Sequence, residues 1–200
     1  MKRDRIGWGV ALLAAATLAF AQGADKPVYK VGDKWVFKQS DGSANSTEWS
    51  REITAVATGA LTVRFENGTT NEFDEMMNFT QGGVQNVRLL VRYPLKVGDS
   101  WSFVRKAGQN GQGEERGEAK VVKIESITVP AGTFECYRID AKAQFTLRTY
   151  NEQREWARWY CPTVKWIVRE DLETNTFRPG AGGQSRTKAT SELVSFTPGP

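Results

Sequence analysis

The chain has 200 residues, a formal net charge of +4, a hydrophobic fraction of 40% and no histidine. This composition is typical of one globular domain and excludes a disordered or collagen-like chain. Because imidazole is the usual general base and the commonest metal ligand, its absence argues against a triad hydrolase or a metallohydrolase. We therefore expect no metal site and no cofactor and assign no catalytic residue, while carboxylate, lysine and tyrosine chemistry are not excluded.

The first 21 residues have the pattern of a secretory signal peptide. Lys2, Arg3 and Arg5 form a basic head, residues 6–20 are an uncharged apolar run, and residues 19–21 have the small-x-small shape that signal peptidase reads. A retained membrane anchor is the less favoured alternative, because crossing the hydrocarbon takes about 20 apolar residues. We predict cleavage after Ala21, a periplasmic or secreted mature chain, and no transmembrane segment after cleavage.

Removal of this leader takes away three cations and one anion, so the net charge falls from +4 to +2. The remaining charges are interspersed along the chain rather than clustered, so we expect no nucleic-acid partner.

Two cysteines, Cys136 and Cys161, lie in the predicted mature chain. In an oxidising compartment a disulfide is the expected state of such a pair. The alternative is a reactive thiol, which is less favoured because the chain has no histidine to lower a thiol pKa and no CxxC spacing.

From residue 28 onward the predicted elements are short strands, marked by period-two alternation and by β-branched or aromatic residues. In chain order they span residues 34–39, 48–58, 61–66, 87–93, 100–106, 118–129, 134–147, 153–161, 164–171 and 190–196. A helix is supported only weakly, at 72–78. Asn67-Gly68 predicts a type I′ hairpin turn, residues 130–132 a type I turn, and residues 107–117 and 178–188 two loops.

An eight-residue segment occurs twice. Residues 30–37 and 96–103 are identical at six of eight positions, and each reads as a Gly-Asp turn that leads into a strand with Trp and Phe on one face. We infer two related meander halves, about 28–92 and 93–196, within a single β domain at 22–200. Trp35 and Trp101 are then expected at equivalent core positions. The predicted fold is all-β, a curved antiparallel sheet, half-barrel or sandwich, with little helix.

Three segments, residues 94–101, 128–134 and 159–162, carry a resemblance to a known group. With them, residues 93–171 resemble exported bacterial β-rich domains of unknown function, which are similar in outline to the curved half-barrel of periplasmic lipoprotein carriers. The shared motifs are turns and core aromatics, so the resemblance implies a fold rather than an activity.

The cysteines also predict a strand register. If residues 134–147 and 153–161 form an antiparallel hairpin with Cys136 opposite Cys161, then Lys142 lies opposite Glu155 and Arg138 opposite Trp159. The other face of the hairpin then carries five residues that we predict to bind a ligand: Tyr137, Arg154, Trp156, Arg158 and Tyr160. A guanidinium flanked by Trp and Tyr can clamp an acidic head group. In the alternative, the arginine stems pack on the sheet and the heads reach solvent at its edge.

These observations favour an exported, non-enzymatic β protein that binds an apolar or amphipathic ligand, such as a lipid, or an envelope component. The first alternative is a structural or assembly partner of an envelope protein, without a small-molecule ligand. The second is a hydrolase that uses carboxylates, with Glu155, Glu170 and Asp171 as candidates.

Overall fold

The computed structural model describes residues 23–42, 46–78, 80, 91–107, 113–147, 150–178 and 183–200. The predicted signal peptide therefore lies outside the described residues. Within the described ranges, ten antiparallel strands form one sheet, and a 3-10 turn spans Pro162–Val164. The strands are β1 (Lys34–Ser40), β2 (Ser46–Ala57), β3 (Ala60–Phe65), β4 (Thr70–Phe73), β5 (Ser100–Ala107), β6 (Gly113–Val129), β7 (Gly132–Leu147), β8 (Tyr150–Cys161), β9 (Trp166–Arg178) and β10 (Gly183–Thr197).

The strand order is β4-β3-β2-β1-β10-β9-β8-β7-β6-β5. Neighbouring strands are thus consecutive in sequence, except where β1 pairs with β10 and joins a four-stranded meander to a six-stranded one. The sheet is not closed, because β4 and β5 lie at its two ends. The all-β prediction is confirmed.

The sheet is strongly curved around the face that holds the core. Arg51 on β2 and Trp166 on β9 are separated by three strand spacings, about 14 Å in a flat sheet. The Arg51 guanidinium nevertheless lies 5.7 Å from the Trp166 ring. We call this inner side the concave face. It carries the alternating buried residues of β7, from Tyr137 to Phe145, as the sequence predicted.

The two copies of the repeated octamer form the same turn. In the first copy the backbone N–H of Lys30 donates to the Asp33 carboxylate at 2.8 Å. In the second copy the backbone N–H of Lys96 donates to the Asp99 carboxylate at 3.0 Å. Each glycine has positive φ and donates its N–H to a carbonyl of the adjacent strand. Trp35 and Trp101 are both buried on the strands that follow. A common origin of the two halves stays a prediction.

The described parts of both predicted loops are strand. Residues 173–178 of β9 pair with 183–188 of β10, which overlaps the predicted loop at 178–188, and residues 179–182 lie outside the described residues. Polar residues on both faces hid this hairpin from a search for apolar alternation. Likewise β6 begins at Gly113, inside the predicted loop 107–117. Gly117 is needed in that strand because a Cβ there would lie 2.6 Å from the Lys142 carbonyl oxygen and closer still to the Phe103 ring.

Three local predictions are also corrected. The weak helix at 72–78 is the end of β4 followed by a turn, in which the Asp74 carboxylate accepts N–H groups of Met76 and Asn78. The Asn67-Gly68 turn is not type I′, because only Gly68 has positive φ. Of the predicted strand 87–93, residues 91–93 are not strand and the rest lie outside the described residues. No helix in the described segments is long and apolar enough to cross a bilayer.

Candidate functional site

The structure contains the predicted disulfide between Cys136 and Cys161. The register of β7 and β8 also agrees with the prediction, since Lys142 pairs with Glu155 and Arg138 with Trp159. Lys142 Nζ donates to Glu155 Oε1 at 2.9 Å. Both cysteines are fully buried, although they lie on the face that carries these charged pairs. The crosslink therefore fixes which side chains of β7 and β8 share the concave face.

The five predicted ligand residues all lie on that face, across β7 and β8. Tyr137 and Tyr160 are fully buried in the core. Arg158 is 2% exposed, lies 4.9 Å above the Trp156 ring, and donates its Nε–H to Glu170. The alternative in which the arginine heads reach solvent is thus wrong for Arg158, because β8 lies inside the sheet between β7 and β9 rather than at its edge.

Arg154 belongs to an ion network at the far end of the same face. Its Nε donates to Glu152 at 2.8 Å, and its Nη1 donates to Glu115 at 3.1 Å. The fully buried Glu115 also accepts from Arg105. Arg154 therefore has carboxylate partners within the protein, and a ligand is not needed to balance its charge.

A cavity of about 180 Å³ opens on the concave face beside Glu170. It lies between β1, β2, β9 and β10. Its lining combines apolar side chains with a few polar ones: Phe37, Gln39, Trp49, Arg51, Trp166, Ile167, Glu170, Leu172, Ala189, Thr190 and Ser191. We call it the Arg51 cavity.

Three polar atoms of this lining are buried without a hydrogen-bond partner among the described residues. They are the indole N–H of Trp49, the Nε of Arg51 and the hydroxyl of Ser191. The Nη2 of Arg158, whose Nε binds Glu170, is also buried without a hydrogen-bond partner among these residues. Buried polar groups are nearly always hydrogen-bonded, and leaving one unpaired costs about 1–3 kcal/mol. Such a cluster around a cavity marks a place where water or a ligand can satisfy these groups.

Arg51 lies within a group of four aromatic rings. The distances from its Cζ to the ring centroids of Trp49, Phe65, Phe73 and Trp166 are 5.1–5.7 Å. Burial lowers the pKa of Arg51 to about 10, and the negative charge of Glu170 opposes this shift. The guanidinium is therefore still charged at neutral pH. Counting only the described residues, Arg51 and Arg158 thus face one carboxylate, Glu170, which leaves one positive charge unbalanced.

The sequence analysis missed Trp49, Arg51 and Ser191. Trp49, Arg51 and Ile53 alternate along the predicted strand 48–58 and share one face. An arginine on an otherwise apolar strand face was the available signal. The position of Ser191 opposite Glu170 depends on the pairing of β10 with β9, and no local pattern shows it.

The three carboxylates considered for hydrolysis are not assembled as a set. Glu170 faces the cavity, whereas Glu155 and Asp171 project from the opposite face of the sheet. Each carboxylate is paired with a cation: Glu170 with Arg158, Glu155 with Lys142, and Asp171 with Arg169. Among the described residues, no group of three or more Asp, Glu, Cys or His side chains is placed to hold a metal ion.

Residues 106–176 match the model of the DUF3108-like family, which covers most of β6 to β9. This match confirms the resemblance to exported domains of unknown function. No curated protein is significantly similar in sequence.

The solved structures that are similar to the chain include three described by the following matches. One is a provisionally assigned lipoprotein of Parabacteroides distasonis, with 16% identity, a TM-score of 0.48, and 88% of this chain and 99% of that one covered. A provisionally assigned exported protein of Bacteroides fragilis with a YmcC-like fold has 12% identity and a TM-score of 0.45, with 87% and 99% covered. The hypothetical lipoprotein YmcC of Escherichia coli has 8% identity and a TM-score of 0.42, with 85% and 86% covered.

Proposed function

We propose that this chain is an exported, non-enzymatic β protein that binds an amphipathic small molecule on the concave face of its sheet. The observation that carries the proposal is the Arg51 cavity, in which apolar side chains surround buried donors that have no hydrogen-bond partner in the described part of the chain. Small-molecule sites combine apolar walls with convergent polar groups, and both are present in this lining.

The proposed location is the periplasm or the extracellular space. Its support is the basic and apolar leader at residues 1–21 and the pair of cysteines, which suits an oxidising compartment. In this proposal the mature chain begins at Gln22 and folds as one β domain.

The five residues predicted to bind the ligand support the cavity in different ways. Arg158 does not belong to the lining, but its Nε–H binds Glu170, which does. The Trp156 ring lies against the Arg158 guanidinium. Tyr137 on β7 and Tyr160 on β8 are buried in the core. Arg154 binds the carboxylates of Glu115 and Glu152 at the far end of the concave face. We therefore propose that Arg158 acts on the ligand through Glu170, and that the direct contacts come from the residues of the lining.

Native mass spectrometry of the mature protein, purified from the envelope of its own cells, tests the proposal. We expect a second species whose excess mass is that of one small amphipathic molecule. After delipidation, octanoate, octanol and lysophosphatidylcholine serve as binding probes. An apo mass from the native source, together with no binding of any of the three probes, would overturn the proposal.

A second candidate is an assembly role in the envelope. Among the described residues, β5 is paired on one side only, and its Val104 side chain is 52% exposed. An unpaired edge of this kind can accept a strand from another chain. Crosslinking in intact cells from a photoreactive residue at position 104 tests this role. A specific envelope protein in the product supports it, and a product with no partner refutes it.

A further inference from the structure

We propose that the Arg51 cavity binds a single carboxylate head, held by Arg51 together with the indole N–H of Trp49 and the hydroxyl of Ser191. This inference rests on the proposed function and specifies its ligand as an amphipathic monoanion, a carboxylate attached to a short apolar chain.

The charges around the cavity favour an anion. Arg51 forms no hydrogen bond or ion pair with the described residues, and four aromatic rings surround it in place of a carboxylate. The nearest negative charge, Glu170, is bound by Arg158. A buried charge that has lost its ion-pair partner is strongly destabilising, and Arg51 is a buried charge of this kind. A ligand carboxylate would complete the pair.

The same charges limit the ligand to one negative charge. Glu170 faces the cavity, so a dianion such as a phosphate monoester would meet a carboxylate after the first charge had been balanced. Like charges in a site of low dielectric repel strongly. One carboxylate matches the single unbalanced guanidinium, whose planar array of donors fits its two oxygens.

The size and lining of the cavity define the rest of the ligand. About 180 Å³ is the volume that roughly six water molecules occupy in the liquid, enough for a carboxylate and a few methylene groups. Phe37, Trp166 and Leu172 supply the apolar part of the lining. A longer acyl chain would have to leave the cavity, and its remaining carbons would lie along the concave face.

Calorimetric titration of the delipidated mature protein with octanoate, and separately with octanol, tests the inference. The two probes share the apolar chain and differ in charge. We expect octanol to bind about 10- to 100-fold more weakly than octanoate, the loss expected when a charge-assisted hydrogen bond is missing. An increase in melting temperature with octanoate gives a second readout of the same binding.

Arg51→Met keeps the length and apolar packing of the side chain and removes its charge. We expect octanoate binding to fall to the level of octanol, while octanol binding is unchanged. Arg64→Met is the matched control, because Arg64 lies on the neighbouring strand β3, is 49% exposed and pairs with Glu52 outside the cavity. Its octanoate affinity should stay within about twofold of the wild type.

If Arg51→Met fails to fold, Ser191→Ala and Trp49→Phe each remove one donor and keep most of the packing. We expect each to weaken octanoate severalfold and to leave octanol unaffected. Equal affinity for octanoate and octanol in the wild type, or octanoate binding that survives all three substitutions, would refute the carboxylate site while leaving the proposed function intact. If neither probe binds, the carboxylate site is refuted, and the proposed function fails with it when the protein from its native source also carries no bound molecule and lysophosphatidylcholine does not bind either.

Discussion

Asp33 and Asp99 occupy the same position in the two copies of the repeated octamer, yet the structure predicts very different consequences for their loss. In both turns the carboxylate accepts the backbone N–H three residues earlier. Asp99 is exposed, and its side chain makes no other hydrogen bond among the described residues. Asp33 is fully buried, binds Lys165 Nζ at 2.7 and 3.0 Å, and accepts the Gly199 N–H at 2.9 Å.

The change to asparagine removes the charge and keeps the size. Asp33→Asn leaves the Lys165 ammonium without its counter-ion, in a place where its side chain is 20% exposed. Breaking a buried pair costs about 3–5 kcal/mol, and the partial exposure of Lys165 reduces this to about 2–4 kcal/mol. Asp99→Asn weakens one exposed hydrogen bond, so we expect a loss of about 0.5–1 kcal/mol.

Urea unfolding followed by tryptophan fluorescence measures both variants, since each half of the sheet contains buried tryptophans. The double variant should show the sum of the two losses, because the turns lie in separate meanders and share no partner. Equal losses for Asp33→Asn and Asp99→Asn would refute this reasoning. Such a result would mean that the turn itself, rather than the tertiary ion pair, determines the energy.

Four further outcomes follow from the structure. Replacing Cys136 and Cys161 together by serine should lower the unfolding free energy by about 3.5 kcal/mol, the chain-entropy value for a sequence separation of 25, and reduction of the wild type should give a similar loss in the same assay. Gly117→Ala should cost about 1–3 kcal/mol by overpacking, and a urea midpoint equal to that of the wild type would show that β6 can move aside. Burial raises the pKa of Tyr160 to about 12, so its contribution to stability is complete below about pH 10 and is lost as pH rises toward 12. Tyr160→Phe should therefore weaken the alkaline loss of stability by up to about 1.4 kcal/mol per pH unit, and an unchanged slope in urea midpoints against pH would contradict this. Edman sequencing of the exported protein should begin at Gln22, and a chain that retains Met1 would exclude cleavage.

Much of the sheet could be predicted from the sequence because its signals are local. Alternation along residues 134–147 showed which side chains of β7 enter the core, and the two cysteines fixed the register of β8 against it. Residues 183–188 are polar on both faces and so show no alternation of apolar and polar side chains. They form a strand because their backbone pairs with β9, and the sequence alone did not reveal this strand. Gly113 and Gly117 likewise suggested a loop, whereas Gly117 makes room for the Phe103 ring.

The candidate site, too, could be predicted from the sequence only in part. Arg158 was found because it lies on the hairpin that the cysteines define. Arg51 and Ser191 were not, because they belong to β2 and β10, strands far apart in sequence that each pair with β1. Their proximity to Glu170 depends on the curvature of the whole sheet.

The sequence by itself determined the strand-rich fold, the disulfide and the shape of the two Gly-Asp turns, because each depends on residues close together in the chain or on a covalent bond. The tertiary structure alone decided that Asp33 meets Lys165 while Asp99 meets solvent, and that Arg51 faces a cavity with its charge unbalanced. Burial and charge compensation depend on which distant strands the curved sheet brings together, and no local pattern encodes that.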